Sequence, residues 1–189
     1  MIFRFRQMIQ TRNLAAQDVQ AILPDLMELL ADVVEHGSSV GFLAPLSASE
    51  ARAYWTGVEK AVAEGSRVLL VAVRNGELLG TVQLDLCQKA NGRNRAEVQK
   101  LIVRSDARRA GVASLLMCEA QAQALQLRRG LLFLDTEAGS GAERFYQSCG
   151  FTRLGELPDF ACNTDGEWRA TAIYFKTLFT PERLEPADS

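Results

Sequence analysis

Apolar residues recur at helical spacing in two stretches of the N-terminal third of the chain. Residues 14–35 are expected to be largely helical, and Pro24 is expected to kink that helix or to start a new segment. The apolar face of this helix is made of Leu26, Leu29, Leu30, Val33 and Val34. The pattern Ser47-Ala48-Ser49-Glu50 predicts a capping box that opens a second helix, which runs to about Glu64.

Short apolar runs bounded by turn residues predict the strands. Asn75-Gly76 is typical of a tight hairpin turn between two of them. The predicted strands cover residues 8–12, 68–73, 78–86, 96–103, 131–135, 153–157 and 170–178. Strands interrupted by helices indicate an α/β or α+β protein.

A basic, glycine-containing turn joins the strand at 96–103 to an amphipathic helix. The turn reads Arg108-Arg109-Ala110-Gly111-Val112-Ala113, so the helix is expected to begin near Gly111. Its apolar positions are Val112, Leu115, Leu116, Leu125 and Leu127. Arg128 and Arg129 are expected to oppose the negative end of the helix, and Gly130 to terminate it.

The start of this helix is a candidate phosphate cradle. Helix N-termini carry unsatisfied N–H groups and a partial positive charge, and Gly111 lets an anion approach the main chain. Many strand-to-helix turns with Gly and Arg hold no ligand, so a purely structural turn is the alternative. A P-loop run and a three-glycine dinucleotide fingerprint are both missing from the sequence, which leaves the pyrophosphate of an acyl-coenzyme A.

Two motifs in order resemble the GNAT superfamily of N-acetyltransferases. Arg108-x-x-Gly111-x-Ala113 after Leu101-Ile102-Val103 resembles its acetyl-coenzyme A signature, and Ala142-Glu143-Arg144-Phe145-Tyr146 before Gly150-Phe151 resembles its second hallmark. Within the superfamily, the stretches around 86–101, 134–140 and 171–178 are similar to the tabtoxin-resistance group, which acetylates a β-lactam phytotoxin. This likeness extends from about residue 39 to residue 178.

The resemblance implies the α/β (α+β) GNAT fold, in which a mixed central sheet splays apart between two parallel strands and helices cover both faces. The two splayed strands would be those at 96–103 and 131–135. Acetyl-CoA is the implied cosubstrate, with Leu101, Ile102 and Val103 on its pantetheine arm and carbonyl. Its pyrophosphate would lie on Arg108, Arg109, Ala110, Gly111, Val112, Ala113 and Ser114.

Two acids in otherwise apolar strands, Glu97 and Asp135, are the candidate general bases for removing a proton from an amine. Strict alternation would put Glu97 and Gln99 on one face of the strand with Leu101 and Val103. A solvated strand edge or an ion pair of Glu97 with Arg95 or Lys100 is the structural alternative.

Tyr146 is the candidate general acid, because the superfamily places a tyrosine beside the coenzyme sulfur at this motif position. The structural alternative is that Tyr146 is a core aromatic residue that packs beside Phe145. Ser140 and Glu143 are expected to form a second capping box. Gly139 stands where many family members have a coenzyme-contacting asparagine.

Composition narrows the class of protein further. The chain has 189 residues, 48% of them hydrophobic, and is expected to form one domain over 1–189 with a core at about 8–178 and a polar tail at 179–189. A net charge of −2 argues against nucleic-acid binding, and no apolar run approaches a membrane span. The four cysteines are widely spaced, and the only histidine, His36, is expected to cap the first helix, so we expect no metal site. We also expect a cytoplasmic location.

Together these features predict an acetyl-CoA-dependent N-acetyltransferase of a small-molecule amine, with a toxin or an antibiotic among the candidate acceptors. Direct attack by the amine and general acid and base catalysis are implied. The protein is expected to be a monomer or a homodimer. Two alternatives stay open: a GNAT enzyme that acetylates an aminoglycoside, polyamine, amino acid or protein N-terminus, and a non-catalytic acyl-CoA-binding sensor.

Overall fold

The central feature of the computed structural model, which describes residues 8–182, is a seven-stranded mixed sheet. The strands are β1 (Gln10–Asn13), β2 (Arg67–Arg74), β3 (Glu77–Leu86), β4 (Arg95–Val103), β5 (Leu131–Glu137), β6 (Thr152–Cys162) and β7 (Trp168–Thr177). Their order in the sheet is β1-β2-β3-β4-β5-β7-β6. Every neighbouring pair is antiparallel except β4 and β5, which are parallel. The predicted α/β class and GNAT topology are therefore confirmed.

Three helices cover one face of the sheet: α1 (Ala16–Ala21), α2 (Leu23–Glu35) and α3 (Ala48–Ala63). Pro24 lies in the first turn of α2, and the predicted helix at 14–35 divides at Ile22. The predicted apolar face of α2 packs with Trp55 of α3, fully buried, against Leu69 and Val71 of the sheet.

The capping box at the start of α3 is confirmed. Ser47 accepts a hydrogen bond from the backbone N–H of Glu50 at 3.2 Å, and the Glu50 carboxylate accepts one from the backbone N–H of Ser47 at 3.1 Å. The hairpin turn between β2 and β3 is confirmed as well, because Asn75 and Gly76 both adopt positive φ angles, 57° and 83°.

The helices α4 (Val112–Gln126) and α5 (Gly141–Ser148) cover the opposite face of the sheet. The predicted apolar stripe of α4 is partly wrong, since Leu115, Leu125 and Leu127 are exposed. The residues that α4 buries are Val112, Leu116, Met117, Ala120 and Ala124. Small alanines at the contact let the helix lie close to the sheet, which a search for large apolar residues overlooks.

The predicted end of α4 is also corrected. Arg128 takes the left-handed conformation just after the helix, with φ of 54°, and Arg129 donates hydrogen bonds to the backbone carbonyls of Cys87 and Arg93 instead of the helix end. Gly130 is required for a different reason, because a Cβ there would lie 2.5 Å from the carbonyl oxygen of Phe179.

Strands β4 and β5 separate shortly after they begin. Only three residue pairs join them, from Arg95 with Leu131 to Glu97 with Phe133. Beyond these pairs, β4 continues to Val103 and β5 continues to Glu137, but the two strands no longer pair with each other. The predicted splay is therefore confirmed, and it opens a V-shaped gap in the middle of the sheet.

A β-bulge in β4 sets which side chains face this gap. Thr81 pairs with Ile102 and Gln83 with Gln99, so Val82 of β3 opposes both Lys100 and Leu101. Lys100 takes a positive φ of 48° at the bulge. The phase of alternation changes there, and Leu101 and Val103 pack with Ala96 and Val98 on the α4 face. The predicted co-facial set of Glu97, Gln99, Leu101 and Val103 is therefore wrong.

Candidate active site

The N-terminus of α4 presents unpaired main-chain donors at one end of the gap. Gly111 is the N-cap residue with φ of 84° and ψ of 1°, and Arg109 also has a positive φ of 62°. The first backbone bond of the helix runs from the N–H of Leu115 to the carbonyl of Gly111, at 3.0 Å. The N–H groups of Val112, Ala113 and Ser114 are therefore free of the helix ladder and available to an anion.

The space beside Gly111 is open, since a Cβ built there meets no heavy atom within 4 Å among the described residues. Arg108 reaches across the opening and donates a hydrogen bond to the Ser38 hydroxyl at 3.3 Å. Arg104 is held away from the turn by Asp106, at 2.6 Å, and by Glu77, at 3.4 Å. The open space beside Gly111 and the position of Arg108 at its edge therefore fit a diphosphate.

A cleft of about 220 Å³ connects this helix end with the gap between β4 and β5. Its lining is mostly apolar and combines β4, α5 and the loop that follows α2. The lining residues are Ser38, Val40, Leu101, Ile102, Val103, Arg108, Ala113, Ala142, Phe145 and Tyr146. Unpaired strand edges beside an apolar cleft suit an amide-containing chain such as pantetheine, so the residues present fit acetyl-CoA.

Glu97 and Asp135 lie on the two strands that separate, on the face opposite Leu132 and Leu134, which are buried under α4 and α5. Glu97 is partly buried and Asp135 is exposed. Burial raises the pKa of Glu97, and the negative charges of Asp135 and Asp85 raise it further, while Gln99 and Lys100 lower it. Neither acid forms an ion pair within 4 Å in residues 8–182. The two carboxylates are thus free to accept a proton.

A polar network that sequence reasoning missed surrounds Glu97. Gln83 is fully buried, donates to the Tyr54 hydroxyl at 2.8 Å and accepts from Arg67 at 2.9 Å. Arg67 also pairs with Asp85. Lys100 lies over the ring of Tyr54, with its Nζ 5.6 Å from the ring centre. Burial raises the pKa of Tyr54 to about 12. The sequence signal was a buried strand carrying Thr81, Gln83 and Asp85 at alternate positions.

Tyr146 lies in the cleft wall, 9% exposed, against three other aromatic rings. Its ring centre is 5.4 Å from that of Phe145, 6.1 Å from that of Phe151 and 6.4 Å from that of Tyr174. Burial raises the pKa of Tyr146, and the charge of Asp135 adds to this shift. The phenol is therefore protonated and rigidly placed.

The predicted capping box at the start of α5 is wrong. The Ser140 hydroxyl is buried and has no hydrogen-bond partner among the described atoms. Glu143 instead accepts from the backbone N–H of Gly139 at 2.7 Å, from the Tyr174 hydroxyl at 2.5 Å and from Arg153 at 2.9 Å. These bonds lower the pKa of Glu143 and tie α5, which carries Tyr146, to β6 and β7.

The loop after α2 contributes Ser38 and Val40 to the lining of the cleft. His36 is the C-cap residue of α2, and its Nδ1 lies 2.7 Å from the Asp32 carbonyl oxygen and 3.3 Å from the Asp32 carboxylate, which confirms the predicted cap. Five residues after His36, a Cβ built on Gly41 would lie 3.6 Å from the Nζ of Lys100.

Within residues 8–182, no group of three or more His, Cys, Asp and Glu side chains comes together as a metal site. No helix among these residues has the length and apolar character needed to cross a bilayer. The last seven residues of the predicted polar tail lie outside the described residues.

Comparison with known proteins agrees with this geometry. Residues 28–151 match the profile of the family described as Acetyltransferase (GNAT) family. The fold is similar to that of the ribosomal-protein-alanine N-acetyltransferase from Brucella melitensis, at 24% identity and a TM-score of 0.72, over 89% of this chain and 99% of that chain. It is also similar to yncA of Salmonella typhimurium, solved with its cofactor acetyl-CoA, at 17% identity and a TM-score of 0.74, over 95% and 99% of the two chains.

The chain belongs to the GNAT family of acetyltransferases. It is accordingly an acyltransferase, and acetyl-CoA is its cosubstrate.

Proposed function

We propose that the protein transfers the acetyl group of acetyl-CoA to the amine of a small molecule by direct attack. The observation that carries this proposal is the placement of two unpaired carboxylates, Glu97 and Asp135, on the two strands that border the gap. A sensor that only binds acyl-CoA has no use for a carboxylate pair at this point.

Glu97 and Asp135 remove the proton that makes the acceptor amine unreactive. An alkyl ammonium of pKa about 10.4 costs roughly 4 to 5 kcal/mol to deprotonate at neutral pH. The raised pKa of Glu97 makes this carboxylate a better base than an exposed one. The neighbouring Asp135 is exposed and can pass the proton to water.

Acetyl-CoA supplies the thioester whose carbonyl carbon the amine attacks. In this proposal the main chain of Leu101, Ile102 and Val103 binds the pantetheine arm and polarises the carbonyl. The free N–H groups at the start of α4 hold the diphosphate, and Arg108 and Arg109 screen its charge from the rim. The C–N bond forms as the C–S bond breaks, the amine proton goes to a carboxylate, and the sulfur leaves as a thiolate.

Tyr146 stabilises that thiolate. An ordinary thiol has a pKa of about 8.5, well below the raised pKa of the Tyr146 phenol, so complete proton transfer from Tyr146 is uphill. A hydrogen bond from the phenol to the sulfur needs no such transfer and lowers the barrier as charge develops. We therefore assign Tyr146 as the hydrogen-bond donor, with the final proton reaching the sulfur through it or from solvent.

We further propose that the acceptor is a toxin or an antibiotic, as in the tabtoxin-resistance group that the sequence resembles. The similar stretches include both acids, Glu97 and Asp135, and the residues around Lys100. A cytoplasmic location belongs to the same proposal and is supported by four free thiols, Cys87, Cys118, Cys149 and Cys162, which suit a reducing compartment.

A thiol-release assay tests the proposed function. The protein is incubated with acetyl-CoA and a mixture of amines, free thiol is followed with a chromogenic disulfide, and the products are identified by mass. We expect amine-dependent thiol release with an equal amount of N-acetylated product. Tight acetyl-CoA binding without thiol release for any amine would favour the sensor instead.

A further inference from the structure

Lys100 stands out among the charged residues near the gap because no acid within residues 8–182 forms a salt bridge with it. Arg67 contacts both Asp85 and Gln83, so its charge is already balanced. The Nζ of Lys100 forms no salt bridge within 4 Å and no hydrogen bond in the described part of the chain. The ammonium lies over the ring of Tyr54, 5.6 Å from Nζ to the ring centre. A partly buried ammonium without an anion is costly.

The backbone at Lys100 is unusual as well. A positive φ of 48° is rare for a residue with a long side chain, and such outliers cluster at ligand sites. The β-bulge turns Lys100 away from the α4 face, where Leu101 and Val103 line the coenzyme cleft. The ammonium consequently lies under the loop after α2, beside Gly41, on the acceptor side of the sheet.

We propose that Lys100 binds a carboxylate of the acceptor, so that the substrate class is amines that also carry a carboxylate. This proposal rests on the proposed acetyl transfer and deepens it. The acceptor amine lies toward Glu97, which is three residues before Lys100 on β4, and toward Asp135, which is across the gap on β5. Its carboxylate completes the ion pair that Lys100 lacks.

Electrostatics near the gap favour such an acceptor over a polycation. Asp135 and Glu97 act on Lys100 from beyond salt-bridge distance and raise its pKa, while burial, the largest effect, and Arg67 lower it. A diamine or polyamine would place a second ammonium near Lys100 and be repelled. An acceptor carboxylate gives Lys100 an anionic partner.

Matched acceptors test the proposal on the intact protein. Thiol release is measured for lysine, its carboxamide and 1,5-diaminopentane, and for phenylalanine, its carboxamide and phenethylamine. We expect kcat/KM to be about 30-fold or more higher for the carboxylate acceptor in at least one series. At neutral pH, amidation lowers the pKa of the neighbouring amine and enlarges its neutral, reactive fraction, so a preference for the carboxylate at this pH cannot come from amine reactivity.

Variants assign that preference to the side chain. Lys100→Met should raise KM much more for the carboxylate acceptor than for the neutral acceptors, so that the preference is lost. Lys100→Arg should keep part of the preference. Lys60→Met is the matched control, because Lys60 is exposed on α3 and pairs with Glu64.

Three outcomes would overturn the proposal. Equal wild-type kcat/KM for carboxylate and neutral acceptors overturns it while leaving acetyl transfer intact, and this comparison needs no variant that could fail to fold. An equal loss for all acceptors in Lys100→Met shows that Lys100 serves the two acids and not the substrate. No thiol release with any amine overturns the proposed function, and the Lys100 proposal with it.

Discussion

Gly111→Asp is the sharpest perturbation of the proposed coenzyme site. Gly111 is the N-cap residue of α4, and aspartate is among the best N-cap residues because its carboxylate accepts from the first free N–H groups. The same N–H groups are those that we assign to the diphosphate. The substitution therefore places a carboxylate against the N–H groups that would bind the ligand.

The size of the effect can be estimated from the geometry. A hydrogen bond to a charged group contributes about 1.5 to 3 kcal/mol, and the new carboxylate competes for at least one of them. Repulsion between unit charges a few ångströms apart adds several kcal/mol at an effective dielectric constant of about 20. Acetyl-CoA should therefore bind about 100-fold or more weakly.

Gly111→Ala is the matched control. The φ of 84° strains either side chain by about 1 to 2 kcal/mol, and a Cβ here meets no described atom within 4 Å. Alanine therefore brings the strain without the charge. Calorimetric titration with acetyl-CoA should give a small loss for Gly111→Ala and the large loss only for Gly111→Asp. Equal acetyl-CoA affinities of folded Gly111→Ala and folded Gly111→Asp would refute the assignment of the diphosphate to this turn.

Three further predictions concern the side chains at the gap. Glu97→Gln and Asp135→Asn should leave coenzyme binding nearly unchanged, and turnover should fall by about 10²-fold or more for whichever acid is the main base. Unchanged kcat in both single variants would argue against a single main base among these two acids. Because the folded-state pKa of Glu97 is raised, ionisation of Glu97 destabilises the fold as pH rises above its unfolded pKa, so Glu97→Gln should melt higher than wild type at neutral pH and lose this advantage in acid. Tyr146→Phe should lower turnover with little change in melting temperature, and an acetyl thioester with a better leaving thiol should recover part of the loss; a variant that only melts early would make Tyr146 a core residue.

Local patterns in the sequence predicted most of the fold. The Asn75-Gly76 turn and the capping box at Ser47 depend on neighbouring residues alone, and both were correct. The capping box at Ser140 failed because Glu143 has stronger distant partners, the Tyr174 hydroxyl and Arg153, which no local pattern reveals.

The site was predicted at its ends better than at its centre. The helix at Gly111 followed from a local pattern, and the splayed strands followed from the resemblance to the GNAT superfamily. The faces of β4 could not be predicted, because the bulge at Lys100 depends on pairing with Val82 and reverses the alternation beyond it. The contact between Gln83 and Tyr54 joins residues 29 apart, so no local pattern in the sequence could predict it.

The most direct test of the account compares the wild-type protein with the Glu97→Gln, Asp135→Asn double variant across pH 6 to 9. Thiol release from acetyl-CoA in the presence of an accepted amine is the measured quantity, and coenzyme affinity is checked in parallel. We expect the double variant to bind acetyl-CoA normally and to turn over far more slowly at neutral pH, and we expect this deficit to shrink as rising pH deprotonates the amine without a base. Wild-type rates in the double variant over the whole range would contradict a carboxylate base at this gap.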